Sequence, residues 1–226
     1  MKKGKRLQRK IAWLLVACLI FLGCLFLRPK ENESQPAQTI MPRRKVALTF
    51  DDGPSPIWTK TLLEGLRERG VKATFFVTGE NVEKYPELVK EIYEDGHLIG
   101  NHTYSHIQLT SVSEERALEE LKKTNEAIYH CTGSYPEFFR PPFGSIHKGM
   151  EKKTDMMIVL WDVDPKDWCS SNTACITKRV VEKVQDHSII LFHDQYESSV
   201  KAALQVVDRL TKEGYEFVTV DEILLD

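Results

Sequence analysis

The stretch VALTFDDGP, residues 46–54, decides the fold. Val46 to Phe50 form an apolar, β-branched and aromatic run of strand type, which ends in two adjacent carboxylates, Asp51 and Asp52, and then breaks at Gly53-Pro54. Neighbouring acids repel each other and contribute nothing to strand packing, so a demand outside the local fold must place them there. Similar short runs recur at ATFFVT (73–78), HLIGN (97–101), EFF (137–139), MIVLWDV (157–163), SIILFH (188–193) and EFVTV (216–220). The intervening segments WTKTLLEGLRERG, YPELVKEIYEDG and SEERALEELKKTNEAIYH repeat apolar residues at spacings of three and four, as amphipathic helices do. Gly70, Gly96 and Gly214 stand where such helices stop. Strands alternating with helices imply an α/β fold of about seven parallel strands joined by crossovers. A closed or nearly closed (β/α) barrel fits this pattern better than an open sheet does. In either architecture the working face lies at the carboxyl ends of the strands.

That face collects further unusual residues. The third strand leads into NHTYSH, with His102 and His106 four apart; on a helical turn both imidazoles would lie on one side, about 5–6 Å apart at Cβ. Two His and one Asp hold a metal while leaving positions open for water and substrate, the arrangement of a catalytic rather than a structural site. Zinc suits the set, and iron(II), cobalt, nickel or manganese also fit it. The fourth strand leads into FRPPFG, where Arg140 precedes two prolines that fix an extended turn. WDVDPKDW (161–168) carries three acids and two tryptophans, and ILFHD puts His193 and Asp194 at the end of the sixth strand, on the same rim.

The amino-terminal end has a different character. Residues 1–10 form a basic segment with six Lys or Arg, and residues 11–27 run without a charge, the lower limit for a membrane helix. The basic flank orients such an anchor with the following chain outside the membrane. Arg28-Pro29-Lys30 offers no small-residue cleavage site, which favours an uncleaved signal anchor over a cleaved signal peptide; a lipid-modified Cys24 is the third reading. Residues 28–42 read as a polar linker and 43–226 as the catalytic domain. Without the anchor and linker, 23 Lys and Arg stand against 31 Asp and Glu, a formal charge of −8 that argues against nucleic acid as a partner. Cys169 and Cys175 flank SSNTA and are read either as one disulfide or as two free thiols, while Cys131 reads as a half-buried thiol.

TFDDGP, HTYSH, RPPFG, DPKDW and LFHD, in this order, resemble the five motifs of the polysaccharide deacetylases, carbohydrate esterase family 4. The resemblance spans roughly residues 43–226. It implies a distorted (β/α) barrel and metal-dependent hydrolysis of an acetamido group on a sugar. By position it implies that Asp52, His102 and His106 bind the metal and that Asp51 is the general base, held by Arg140. His193 would be the general acid, oriented by Asp167; between Asp164 and Asp167 the choice rests only on Asp167 preceding Trp168. Trp168 and Leu191 would line a pocket for the acetyl methyl, and the backbone N–H of Phe143 would help hold the oxyanion. Phe143 replaces a tyrosine frequent in the family, which removes a hydroxyl able to touch the sugar.

The expected function is therefore extracytoplasmic, membrane-anchored deacetylation of a glycan, peptidoglycan N-acetylglucosamine or N-acetylmuramic acid first, with no protein partner implied. The alternative substrates are chitooligosaccharides or an exported polysaccharide. Secretion after signal cleavage is the alternative location. A silent glycan-binding homologue conflicts with the chemically competent residue at every motif position. A two-His, one-carboxylate iron oxygenase conflicts with the βα alternation, since its usual scaffold is an all-β jelly roll.

Overall fold

The structure, a computed structural model, describes residues 43–225. The basic segment, the anchor and the linker up to residue 42 lie outside the described residues, and among the described residues no helix is long and apolar enough to cross a membrane.

Seven parallel strands form one sheet: β1 (Arg44–Asp51), β2 (Thr74–Val77), β3 (Leu98–Asn101), β4 (Phe138–Phe139), β5 (Met157–Ile158), β6 (Ser188–His193) and β7 (Tyr215–Val218). Their spatial order is β5-β4-β3-β2-β1-β6, and β7 pairs with the start of β1. All pairs are parallel, as the alternation of elements predicts. The segment after β5 bridges back to the far end of this order through Val163 and Ile190, so the sheet curls in a manner consistent with a (β/α) barrel.

Between the strands run α1 (Trp58–Arg69), α2 (Gly79–Lys84), α3 (Pro86–Glu94), α4 (Glu114–Thr132), α5 (Thr173–Val181) and α6 (Glu197–Lys212), and α7 (Val220–Leu224) follows β7. Their boundaries have local causes. Gly70 ends α1 in the left-handed region at φ 63°, Pro86 opens α3, and the Ser113 hydroxyl caps α4 by accepting the Arg116 N–H. The run EFVTV stops being a strand at Val218 because Thr219 and Glu222 form a capping box that starts α7.

Strand alternation divides the core. Val46, Leu48 and Phe50 of β1 join Phe75, Val77, Ile190 and Phe192 in one buried cluster with residues of α1 and α6. Ala47, Phe76 and Ile189 belong to a second cluster, with Phe138 and Val159, on the opposite face of the strands. The expected strand 157–163 shortens to Met157–Ile158. Its next two carbonyls, of Val159 and Leu160, accept hydrogen bonds from the Arg140 guanidinium at 3.1 and 3.0 Å, which takes them out of the ladder.

Candidate active site

By the alternation of β1, Asp51 shares a face with Ala47 and Thr49 and not with the large apolar cluster. In register it lies beside Phe76 of β2 and His193 of β6, so strand pairing alone brings His193 to Asp51. Arg140, at the end of β4, is fully buried. Its guanidinium donates to Asp51 Oδ1 at 2.8 Å and to the Thr49 hydroxyl at 2.7 Å, and it stacks on the Phe76 ring at 4.2 Å. Phe76 can lie there because residue 100 is glycine; a Cβ at Gly100 would overlap the ring.

Asp52 turns away from its neighbour. Its φ of 72° is costly for a residue with a side chain. The strained peptide is held through the Asp52 carbonyl, which accepts from Asn81 Nδ2 at 2.8 Å and from Gln195 Nε2 at 3.0 Å. Oδ1 of Asp52 then lies 3.3 Å from His102 Nε2 and 3.1 Å from His106 Nε2. His102 Nδ1 is 2.7 Å from the Arg140 carbonyl, which can only accept, so Nδ1 carries the proton and Nε2 presents a bare lone pair. Asp52 Oδ1 is buried and makes no hydrogen bond. Two acceptors therefore face each other across a short gap, with a third ligand atom within 4.8 Å. A cation satisfies all three at once, so these residues fit a divalent metal with two imidazole nitrogens and one carboxylate oxygen. Burial pushes the Asp52 carboxyl up, but a positive charge at the imidazole nitrogens that face it, carried by protons when no metal is bound, outweighs burial and holds the group well below the usual carboxylate range.

The histidine segment corrects the expected helical turn. Residues 102–108 form a loop in which Thr103 and His106 adopt left-handed φ of 65° and 55°, yet the two rings still converge, with centroids 5.1 Å apart. What shapes the loop is Glu120 of α4, almost fully buried, whose Oε2 accepts the N–H groups of Tyr104 and Ser105 and the Ser105 hydroxyl. Asn101 adds an acceptor for the Thr103 N–H at 2.7 Å. Glu120→Ala would remove the one acceptor shared by the Tyr104 and Ser105 N–H groups and the Ser105 hydroxyl and free the loop that aims His106. Zinc affinity is expected to fall tenfold or more, measured by competition with a chelator, together with a lower melting temperature. Unchanged affinity would show that Glu120 does not position the loop.

On the other side of Asp51, His193 Nδ1 lies 2.9 Å from Asp167 Oδ1, and Asp167 Oδ2 accepts the His193 N–H at 2.8 Å. Of the two candidate acids, Asp167 is the one buried against His193, whereas Asp164 accepts the Lys166 N–H. Burial pushes the His193 imidazole down, but the hydrogen bond and charge of Asp167, helped by Asp51 and Asp52, raise it to about 9. Asp51, Asp52, His102, His106 and His193 open into one cavity of about 440 Å³, walled by Phe143, Trp161, Asp164, Trp168 and Leu191. Phe143, at φ 60°, sets its ring edge-on to His106 with centroids 5.0 Å apart.

Asp194 follows His193 at the same rim but does not line the cavity. It is fully buried, accepts from the Thr59 hydroxyl, and presses against Gly53, where a Cβ would collide with its carboxylate. Burial pushes its carboxyl up to about 7. Cys169 and Cys175 are both free, and Cys131 is a half-buried free thiol.

Comparison with known proteins places the fold in a family. The family model described as polysaccharide deacetylase matches residues 38–158. The peptidoglycan-N-acetylmuramic acid deacetylase PdaC of Bacillus subtilis is 39% identical over 195 residues, which is 86% of this chain and 41% of the relative. A peptidoglycan-N-acetylglucosamine deacetylase of Bacillus cereus is 41% identical over 184 residues, covering 78% of this chain and 67% of the relative. The solved structure of Bacillus subtilis PdaC superposes with a TM-score of 0.79 at 39% identity, over 80% of this chain and 90% of that one. The chain thus spans about two fifths of the full PdaC length and two thirds of the Bacillus cereus protein. Motif order, fold and matched length together show that the chain belongs to the polysaccharide deacetylase family.

Proposed function

We propose that this chain is a metal-dependent deacetylase that hydrolyses N-acetyl groups on amino sugars of a glycan, with peptidoglycan as the first substrate. The observation that carries the reading is the meeting of three metal-ligand atoms at Asp52, His102 and His106, flanked by an Arg-held carboxylate and a carboxylate-held imidazole. The chain's relatives named for N-acetylglucosamine and N-acetylmuramic acid support the polymer and leave the sugar open.

Asp52, His102 and His106 would hold the metal, which when bound polarises the acetyl carbonyl and lowers the pKa of water. Zinc is the first choice for a two-imidazole, one-carboxylate set. Asp51 takes the proton from the attacking water; its Oδ1 is engaged by Arg140, which leaves Oδ2 for the transfer. Arg140 is the positioning cation, fixed at both ends by carbonyls and a hydroxyl. His193 donates a proton from Nε2 to the departing amine, because its Nδ1 is committed to Asp167. The Phe143 backbone N–H supports the developing oxyanion, and Trp168 and Leu191 line the acetyl methyl. The amino-terminal segment would anchor the domain on the outer side of the cell membrane.

The test is acetate release from N-acetylated glycans by the zinc- or cobalt-loaded chain; none from any N-acetylglucosamine or N-acetylmuramic acid polymer would overturn the proposal. The acid assignment has its own pH signature. His193 must be protonated to donate, so activity is present below its pKa and is lost as pH rises through about 9. Asp167→Asn removes the charge that raises His193, so the alkaline limb of kcat/KM is expected to move down by about one pH unit or more. An unmoved limb would assign the donor elsewhere.

A further inference from the structure

Asp52 leaves the geometry of β1 at a single peptide. The strand ends at Asp51, and the left-handed φ of 72° at the next residue re-aims the Asp52 side chain, whose Oδ1 then lies 3.1 Å from His106 Nε2. A chain free of other contacts spends most of its time at negative φ, so this conformation needs support from outside the turn. Two elements far apart in sequence supply it.

The first is the short helix α2 and the residue before it. Asn81 Nδ2 donates to the Asp52 carbonyl at 2.8 Å, and the Thr78 N–H donates to the Gly53 carbonyl at 3.1 Å. The second is the loop that follows β6. Gln195 Nε2 donates to the same Asp52 carbonyl at 3.0 Å, while the Asp194 carboxyl fills the space beside the Gly53 Cα so closely that a Cβ there would overlap it. Asp194 is fully buried yet does not reach the cavity. One of its oxygens is held by the Thr59 hydroxyl, which also accepts the Ser55 N–H at 2.6 Å, so the carboxyl is fixed to the far end of the same turn. The contacts of Thr78, Asn81, Asp194 and Gln195 all fall on the backbone of residues 52 and 53.

We propose that Asn81 and Asp194, helped by Gln195, are positioning residues for the metal: they clamp the Asp52–Gly53 peptide so that the Asp52 carboxylate is aimed in advance at the cation. Without the clamp only a fraction of molecules would present Asp52 correctly, and the apparent metal affinity would fall by that fraction. The clamp also links the two halves of the site. Residues 193–195 place the imidazole that faces Asp51, the carboxyl that backs Gly53 and the amide that holds Asp52, in that order. This inference rests on the metal-dependent deacetylase reading for its purpose, and metal binding tests it without turnover.

The test measures zinc affinity by competition with a chromophoric chelator, on the full chain and its variants. Asn81→Ala and Asp194→Ala are each expected to weaken zinc about tenfold. Asp194→Asn keeps the shape that backs Gly53 and an acceptor for Thr59, so it is expected to bind zinc as wild type does. Val206→Ala, at a buried position in the middle of α6, controls for stability alone: it is expected to lower the melting temperature and leave zinc affinity unchanged. With cobalt in place of zinc, the visible absorption bands of Asn81→Ala and Asp194→Ala are expected to shift, because the carboxylate is no longer aimed, while those of Asp194→Asn and Val206→Ala stay in place. Wild-type zinc affinity in either alanine variant of the clamp overturns the proposal. So does a loss in Asp194→Asn equal to that in Asp194→Ala, which would assign the effect to charge, or a loss in Val206→Ala equal to that in Asn81→Ala, which would assign it to stability. Asn81, only partly buried, decides the matter if Asp194→Ala does not fold. If the clamp variants weaken zinc as expected but wild type releases acetate from no N-acetylated glycan, the clamp stands and the deacetylase reading fails.

Discussion

Asp51→Asn is expected to lower kcat about 10³-fold while the protein still binds one zinc ion per chain. The two parts of this expectation have separate causes. Asp51 Oδ1 faces Arg140, and Oδ2 lies 3.7 Å from His102 Nε2, farther than Asp52 Oδ1 does, so the metal set of Asp52, His102 and His106 survives the change. Asparagine keeps the shape and an acceptor for Arg140, and the guanidinium retains Thr49 Oγ1 and the carbonyls of Val159 and Leu160. What disappears is a carboxylate able to take a proton, a role worth roughly 10²–10⁴ in rate. Some stability is lost as well, because a fully buried guanidinium loses its counter-charge. Kinetics on an N-acetylated oligosaccharide, with metal content by mass spectrometry and a thermal melt, separate these effects. A variant that keeps a tenth of the activity, or one that loses the zinc, would remove Asp51 from the role of base.

Much of this site was legible before any coordinates because the residues that carry it follow strands. Period-two alternation puts Asp51, Leu191 and His193 on one face, and register puts Asp51 beside His193. The motifs around Arg140 and Asp167 could be placed for the same reason. Reading failed where a side chain far along the chain sets the backbone. The loop 102–108 is shaped by Glu120, and the strand 157–163 is cut short by Arg140, and neither effect has a local signature. A four-residue spacing of histidines implies a helical turn only when nothing competes for the backbone. Here three hydrogen-bond donors of residues 104 and 105 converge on one buried carboxylate and hold a different conformation. Asp194 shares the rim with His193, as its position suggests, but successive residues leave a strand on opposite sides, and Asp194 goes to Gly53 and Thr59 instead of the cavity.

His102→Ala is expected to reverse the pattern of Asp51→Asn: zinc affinity falls on the order of 10³-fold and acetate release disappears with it. His102 is the most constrained member of the set. It is almost fully buried, and its Nδ1–H is fixed on the Arg140 carbonyl, which both selects the tautomer and aims Nε2 at Asp52 Oδ1. The same hydrogen bond couples the metal set to the backbone of the residue that positions Asp51. His106 is about one third exposed and sits at a left-handed φ in a loop, so His106→Ala is expected to weaken zinc less than His102→Ala does. The difference follows from preorganisation: removing a ligand already held in place forfeits more than removing one whose loop must be ordered. Titration with a chromophoric chelator gives both affinities, and excess zinc separates metal loss from direct catalytic loss. Equal affinity of His102→Ala and wild type would exclude His102 from the metal set. The reverse ranking of the two variants would show that the loop carrying His106, and not the Arg140 carbonyl, is what organises the centre.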